Sequence, residues 1–428
     1  MSGLNGSGFG SGFGSGFGSG SLDPQGMGGG SGSGAVSVPA VAPSKIFPLD
    51  PHKVAAWGAF IIGIVNIIMY LLGSSAQIPP VPSLPIEQAP PQVYGMGWVH
   101  DPKAIAESHR RLPPLQFSKT PAGMVAMGEP PDTFLWRAVR KSAGKDPLGN
   151  WYCNVDQGSV GCCTGCGWKQ GIDAALGSQS IATGSDFAPS SVEVIYAGAR
   201  IDVGKGQIRG DGVVGAWCRE YVSTVSGTAP MKKYPSADLS SFDPLRARSW
   251  GARGNGVPSD VAAEAKLHAV GGTALVNNYS DVQKAIAQGY SVAICSDVGF
   301  NNPDGSVGTR DADGFISPRG SWAHCMCAIG IRGGAKPGVF ILNSWGDSVH
   351  RGGVFPPDQL TAGFWVDPDT ITKMVSQGDS YAIASVAGFS ARPLDWFTQA
   401  DLANPVPEIL TRRKGGRNVL EDLFAIAP

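Results

Sequence analysis

Charge of either sign is scarce in this chain. It carries 33 Lys and Arg against 34 Asp and Glu, a formal net charge of −1, and charged residues fill only 16% of its 428 positions, where soluble domains average about 25%. A basic stripe for gripping a phosphate backbone is missing, and so is an acidic tail, which excludes nucleic acid as a main partner. Cysteine is scarce too, at 8 residues, far below the density of small secreted folds held by disulfides. The first 34 residues almost lack charge, Asp23 being the one exception, and 15 of those 34 are Gly. What the chain has is length and apolar content: 42% hydrophobic residues, enough for a sizeable core and for two or three domains.

The organisation follows from composition. Residues 1–44 are low in complexity, with Ser-Gly-Phe-Gly repeating at period four and placing Phe9, Phe13 and Phe17 in a Gly/Ser background. Such a segment cannot bury enough apolar surface to offset its ordering entropy, so it is expected to be disordered. It reads as a flexible tether, or as a sticky tail that self-associates or binds a partner. Val54 to Gly73 is a run of 20 residues without charge, which as a helix spans ~30 Å, the thickness of a bilayer core. Trp57 and Tyr70 stand near its ends, as interfacial aromatics do. A buried core helix and a signal sequence are the competing readings. The run starts late and is long for a signal, so a single transmembrane helix over 54–73 in contact with lipid is expected. Lys45 and Lys53 precede it and no Lys or Arg follows until Lys103. That asymmetry places the N-terminus inside and the remainder outside, extracytoplasmic. Residues 74–114 are rich in Pro and read as an extended linker. Residues 115–390 have the composition of a folded domain. The C-terminal 391–428 form a tail in which Arg412, Arg413, Lys414 and Arg417 precede Val419–Phe424, a solvated linker or a docking peptide.

Within the domain the signals are mixed. Ser280 to Gln283 reads as a capping box opening a short helix that stops at Gly289. Residues 291–295, 339–342 and 381–386 are apolar and rich in β-branched residues, so strands. The stretch 230–260 reads as loop. Helical signals dominate before residue 225 and strands after 270, which suggests an α+β fold with a helical half and a sheet half.

Three groups of residues carry chemistry. Cys153, Cys162, Cys163 and Cys166 crowd one region, His324, Cys325 and Cys327 form a second, and Asn343-Ser344-Trp345-Gly346, right after the strand 339–342, is a third. A cysteine acts as thiolate, and a helix N-terminus or an imidazolium lowers its pKa. Cys163 follows a Gly-containing turn and precedes a helix-like run with Trp168, Ile172 and Leu176. His324 lies in a strand-like segment and can pair with it. Asn343 can hold the imidazole in the productive tautomer, and the amide of Gln157 with the Cys163 N–H can form an oxyanion hole. Cys163-x-x-Cys166 with His324 and Cys327 also makes a conceivable zinc site, but zinc needs neither Gln157 nor the Asn-Ser-Trp-Gly element, so neither a metal nor a cofactor is expected. Cys218, Cys295 and Cys327 read as core residues, and a Cys153–Cys218 bridge is left open. His52, His100, His109, His268 and His350 lack such context and read as surface residues.

Gln157-Gly-Ser-Val-Gly-Cys-Cys163, then His324, then Asn343-Ser-Trp-Gly346 resembles the papain-like cysteine peptidase family, in its bacterial-type branch. The resemblance covers roughly residues 95–390 and is helped by the segments 131–137 and 189–196. It implies a two-lobed papain-like α+β fold and hydrolysis of peptide bonds through a thioester on Cys163. The family spacing from Gln157 singles out Cys163 over Cys162 and Cys166 as the sulfur with the lowest pKa. His324 would be the proton carrier, Asn343 its orienting partner, Gln157 the oxyanion donor, and Trp345 a cover over the His–Asn pair. Cys163 and His324 are 161 positions apart, and Asn301–Arg319 reads as an insertion. Thr164 stands where the family has Trp, and Val160 where it often has a bridging Cys. A membrane-anchored thiol endopeptidase acting on a peptide or protein is therefore expected. The alternative is a catalytically inactive papain-like module serving a surface or virion assembly.

Overall fold

The structure, a computed structural model, describes residues 94–142, 155–183 and 187–385. The 1–44 tail, the apolar run 54–73 and the 391–428 tail lie outside the described residues. Among those described, no helix is long and apolar enough to cross a membrane, so the expected anchor finds no support there.

The elements alternate as an α+β chain. Helix α1 (Pro102–Arg111) and strand β1 (Leu115–Gln116) precede β2 (Thr133–Phe134) and α2 (Leu135–Ser142). Helices α3 (Cys163–Thr183), α4 (Val192–Gly198), α5 (Gly215–Glu220), α6 (Pro244–Trp250) and α7 (Ser259–Ala265) form the helical half. The sheet half follows: β3 (Gly272–Leu275), α8 (Tyr279–Ala287), β4 (Ser291–Val298), β5 (Ser321–Arg332), β6 (Gly338–Leu342), β7 (Gly363–Val366), α9 (Pro368–Val375) and β8 (Tyr381–Ala384). The strands join one sheet in the order β1-β3-β8-β4-β5-β6-β7, with β2 also on β5. Among the pairings of these described strands only β1–β3 is parallel. Buried side chains divide into two clusters. One wraps the sheet around Trp136, Phe340 and Trp365. The other joins α3, α4 and α5 through Trp168, Tyr196 and Tyr221 to Cys295, Cys325 and Tyr381 of the sheet.

Three local expectations are corrected. Residues 102–111 are helix, not extended linker. Asp101 accepts from the backbone of Lys103 and Ala104, and Pro102 sits in the first turn, a strong start signal. The stretch 230–260 is not all loop, because Asp243 caps α6 in the same way with Pro244 behind it. The cap of α8 is Asn278, whose side chain accepts from the Asp281 N–H, not Ser280.

Candidate active site

Sheet register brings His324 and Asn343 to one end. Leu342 of β6 pairs with Cys327 of β5, so Asn343, one residue beyond β6, lies toward the start of β5, where His324 is. On the other side of β5 lies α3, whose first residue is Cys163. Residues 163–175 of this helix are all buried, as befits a helix enclosed by protein on every side. Its glycines allow the enclosure: a Cβ on Gly167 would stand 2.8 Å from Cys325 Sγ, so only Gly lets the helix lie this close to β5.

The imidazole of His324 is fixed by a chain of hydrogen bonds. His324 Nε2 is 2.8 Å from Asn343 Oδ1, and the same oxygen accepts from the Ser344 N–H at 2.7 Å. The amide nitrogen of Asn343 faces His350 Nε2 at 3.1 Å, while His350 Nδ1 is 3.1 Å from the Gly308 carbonyl. A carbonyl only accepts, so His350 carries its proton on Nδ1 and accepts from Asn343 at Nε2. Asn343 thus turns its oxygen to His324, which must carry its proton on Nε2. The lone pair of His324 sits on Nδ1, a buried atom without a hydrogen-bond partner. Trp345 covers the pair, its ring 4.5 Å from that of His324. Burial pushes the His324 pKa down to about 4, against a smaller upward pull from Asn343. Burial pushes His350 down to about 3, helped by nearby Arg310 and His324 and opposed by the Gly308 carbonyl. Both rings are neutral at ordinary pH.

Gln157 belongs to the same frame. Ser344 Oγ donates to Gln157 Oε1, and the Gln157 N–H donates to the Ser344 carbonyl at 2.9 Å. Gln157 Nε2 donates to the carbonyls of Val160 at 2.7 Å and Gly95 at 3.0 Å. Trp345 Nε1 reaches the same Gly95 oxygen at 3.2 Å. A peptide carbonyl is therefore bound by the amide expected to bind an oxyanion.

Cys163 is fully buried, and burial pushes its thiol up to about 12. The backbone amides of Cys325 and Gly97 pull the other way. The expected lowering at the helix start is thus outweighed by desolvation. The structure sets Cys163 against Cys325, the residue next to His324, but no hydrogen bond joins the sulfur to His324 Nδ1. Burial likewise holds the thiols of Cys162, Cys218, Cys295 and Cys327 well above the ordinary range.

Sequence reading missed His350. It is buried at 2% exposure rather than a surface residue, and nothing local marks it, because its partners come from Asn343 and from the 301–319 insertion. His109 is also half-buried, 2.7 Å from the Tyr381 hydroxyl. Ser344, which carries no role of its own in the motif, holds Gln157 through its hydroxyl. Cys218 is a buried free thiol, and Cys153 lies outside the described residues. Among the described residues no group of three or more His, Cys, Asp or Glu converges as a metal site.

No family model matches the chain, and no curated protein matches it. Solved structures similar to it include xylellain, a cysteine protease from Xylella fastidiosa, at 17% identity over 70% of this chain and 98% of that one, with a TM-score of 0.47. The proform of Amb a 11, a cysteine protease and ragweed pollen allergen, is similar at 16% identity over 69% and 75%, TM-score 0.42. Digestive procathepsin L2 from Tenebrio molitor larval midgut is similar at 17% identity over 68% and 78%, TM-score 0.42. These likenesses are loose, and the site stands on its own geometry.

Proposed function

We propose that the chain is a thiol peptidase. The observation that carries this reading is the fixed tautomer of His324: Nε2–H is held by Asn343, and the Nδ1 lone pair is free beside a helix that begins with a cysteine. In the proposed reaction the Cys163 thiol gives its proton to His324 Nδ1 and its sulfur attacks a peptide carbonyl carbon. The oxyanion is received by Gln157 Nε2 and the Cys163 N–H. The protonated Nδ1 then hands its proton to the departing amine, leaving a thioester that water hydrolyses, with His324 accepting the proton of that water. Burial favours the neutral Cys163 thiol, so in this reading Cys163 rests as a thiol and attack follows proton transfer to Nδ1. A peptidyl epoxide incubated with the full chain tests the reading. One adduct on Cys163, lost in His324→Ala, is expected. Adducts spread over Cys162, Cys163 and Cys166 and unchanged by His324→Ala would favour the inactive module.

The membrane anchor is part of the same proposal and rests on the uncharged run 54–73 with Lys45 and Lys53 before it. The full chain should pellet with membranes and be released only by detergent. Protease added to intact cells should remove the domain and spare the Gly-rich tail.

A further inference from the structure

Gly95 to Val99 is an extended segment of the chain lying in the groove that passes Cys163 and the residue before His324. It is held there by main-chain hydrogen bonds on both walls. On one wall, Gly95 N–H donates to the Gly158 carbonyl at 2.8 Å. On the same wall, Val213 N–H donates to the Gly97 carbonyl at 2.8 Å, and Val99 N–H to the Val213 carbonyl at 3.1 Å. On the other wall, the N–H groups of Gly97 and Trp98 both donate to the Ala323 carbonyl, at 3.1 and 3.0 Å. The carbonyl of Gly95 is the one bound by Gln157 and Trp345. This is how a sheet-like groove binds a peptide of any sequence, with side-chain pockets left to choose among sequences.

Three positions do the choosing. A Cβ on Gly95 would stand 2.2 Å from the Val160 carbonyl oxygen, and one on Gly97 would stand 1.9 Å from that of Gly161. Both obstacles are backbone and cannot swing aside. Neither glycine has a positive φ, so space, not conformation, demands Gly at both. Met96 between them is 45% exposed, so its identity is free. Trp98 is buried at 3% exposure, and its Nε1 donates to Asp379 Oδ2 at 2.8 Å. The aromatic pocket therefore ends in an acceptor for an indole N–H.

The N-terminal tail contains the same pattern. Gly-Ser-Gly-Phe occurs at 6–9, at 10–13 and at 14–17, each time Gly, any residue, Gly, aromatic, as in 95–98. We propose that this groove is a binding site for peptides of the form Gly-x-Gly-aromatic, filled in the structure by residues 95–98, and that the tail repeats of a second copy of the chain are ligands of this class. The proposal names the substrate class for the site put forward above and rests on that reading for the place where a peptide lies, but not on the chemistry.

The test uses the full chain carrying Cys163→Ala, which prevents turnover, and Trp98→Ala, which loosens the resident segment. The labelled probe is acetyl-Gly-Met-Gly-Trp-Val-amide, followed by fluorescence anisotropy. It should bind, and acetyl-Ala-Met-Ala-Trp-Val-amide should bind at least about tenfold more weakly, because two methyl groups meet fixed backbone. Acetyl-Gly-Ser-Gly-Phe-Gly-Ser-amide should compete, less well than the Trp peptide because Phe leaves Asp379 without its indole donor. Alanine and glycine probes binding within about twofold of each other, or a tail peptide that fails to compete, would overturn the assignment. If Trp98→Ala does not fold, hydrogen exchange on the unaltered full chain decides. Excess glycine peptide should speed exchange at the Gly97 and Trp98 amides while the alanine peptide does not, and equal or absent effects would overturn it. Peptide binding without a Cys163 adduct would leave the groove standing and remove the peptidase. An adduct with no preference for glycine would do the reverse.

Discussion

The groove segment ends against two buried polar clusters, and their chemistry is opposite. At the Gly95 end, His324, Asn343 and His350 are joined by hydrogen bonds in which each donor and acceptor has a defined direction. At the Trp98 end, Asp379 takes hydrogen bonds from Trp98, Gly215 and Tyr381, with the Arg219 guanidinium over the Tyr381 ring. The first cluster buries bases and keeps them neutral. The second buries an acid, and although it has several donors, desolvation wins and raises Asp379 to about 6. The contrast teaches that hydrogen bonds in the first cluster set proton position, while in the second they only soften a burial penalty. On the proposed reading, one cluster positions a proton and the other holds a side chain.

The largest test of that contrast is catalytic. Asn343→Ala removes the acceptor for His324 Nε2–H, so the imidazole is free to turn or to take the wrong tautomer. kcat/KM on a peptide substrate should fall about 10²–10⁴-fold, whereas Asp379→Asn, tested with a substrate lacking an aromatic residue, should change it less than about tenfold. Comparable losses in both variants would show that the two clusters are one machine.

The pH dependence of stability should separate them by sign. His324 and His350 have folded values below the ordinary 6.5, so their contribution is complete above about pH 6.5 and is lost as the pH falls toward about 4 and about 3. Asp379 has a folded value above the ordinary one, so its contribution is complete below about pH 4 and is lost as the pH rises through about 6. Asp379→Asn should remove that second dependence, worth at most roughly 3 kcal/mol. Denaturant unfolding at several pH values in the window between 4 and 6 reads it directly. An unchanged slope in the variant would mean that Asp379 is not the titrating group.

His350→Gln probes the next smaller effect. Glutamine can still accept from Asn343 but does not titrate, so acid stability below pH 6 should improve relative to the parent while activity falls only several-fold. His350→Leu leaves the Asn343 amide without its acceptor and should cost about 1–3 kcal/mol. If Gln and Leu behave alike, His350 is packing only and does not orient Asn343.

The parts of this site that sequence reveals are those whose signal is local. A Gly-containing turn before Cys163, a strand carrying His324 and the Asn-Ser-Trp-Gly element after a strand each declare themselves within a few residues, and the structure has a helix at Cys163, a strand at His324 and irregular backbone at Asn343. His350 does not declare itself, since its bonds run to Gly308, 42 positions away, and to Asn343, 7 away. The glycines at 95 and 97 look like linker residues because what requires them is the 160–161 backbone, far along the chain. The helices at 102–111 and 244–250 were obscured by proline, which reads as a breaker when counted and as a first-turn residue when it follows Asp101 or Asp243. The thiol of Cys163 shows the limit of motif reasoning: a helix start argues for a low pKa, and only the burial seen in three dimensions decides against it.

The smallest expected effect concerns whether Gln157 belongs to the histidine cluster. Ser344 links them, its N–H bound to Asn343 Oδ1 and its hydroxyl to Gln157 Oε1. Ser344→Ala keeps the backbone bond to Asn343 and the one from Gln157 N–H, but removes the hydroxyl and leaves Gln157 Oε1 one donor short. The stability cost should be about 1 kcal/mol, visible as a small shift in denaturant midpoint at constant slope. The more telling quantity is coupling. Gln157→Ala alone removes the proposed oxyanion donor, and Ser344→Ala alone lets that amide wander. If the hydroxyl acts only by orienting the amide, the double variant should be no slower than Gln157→Ala. Multiplicative losses in kcat would mean that Ser344 acts on His324 through Asn343 instead, and Gln157 would then stand apart from the proton-positioning chain.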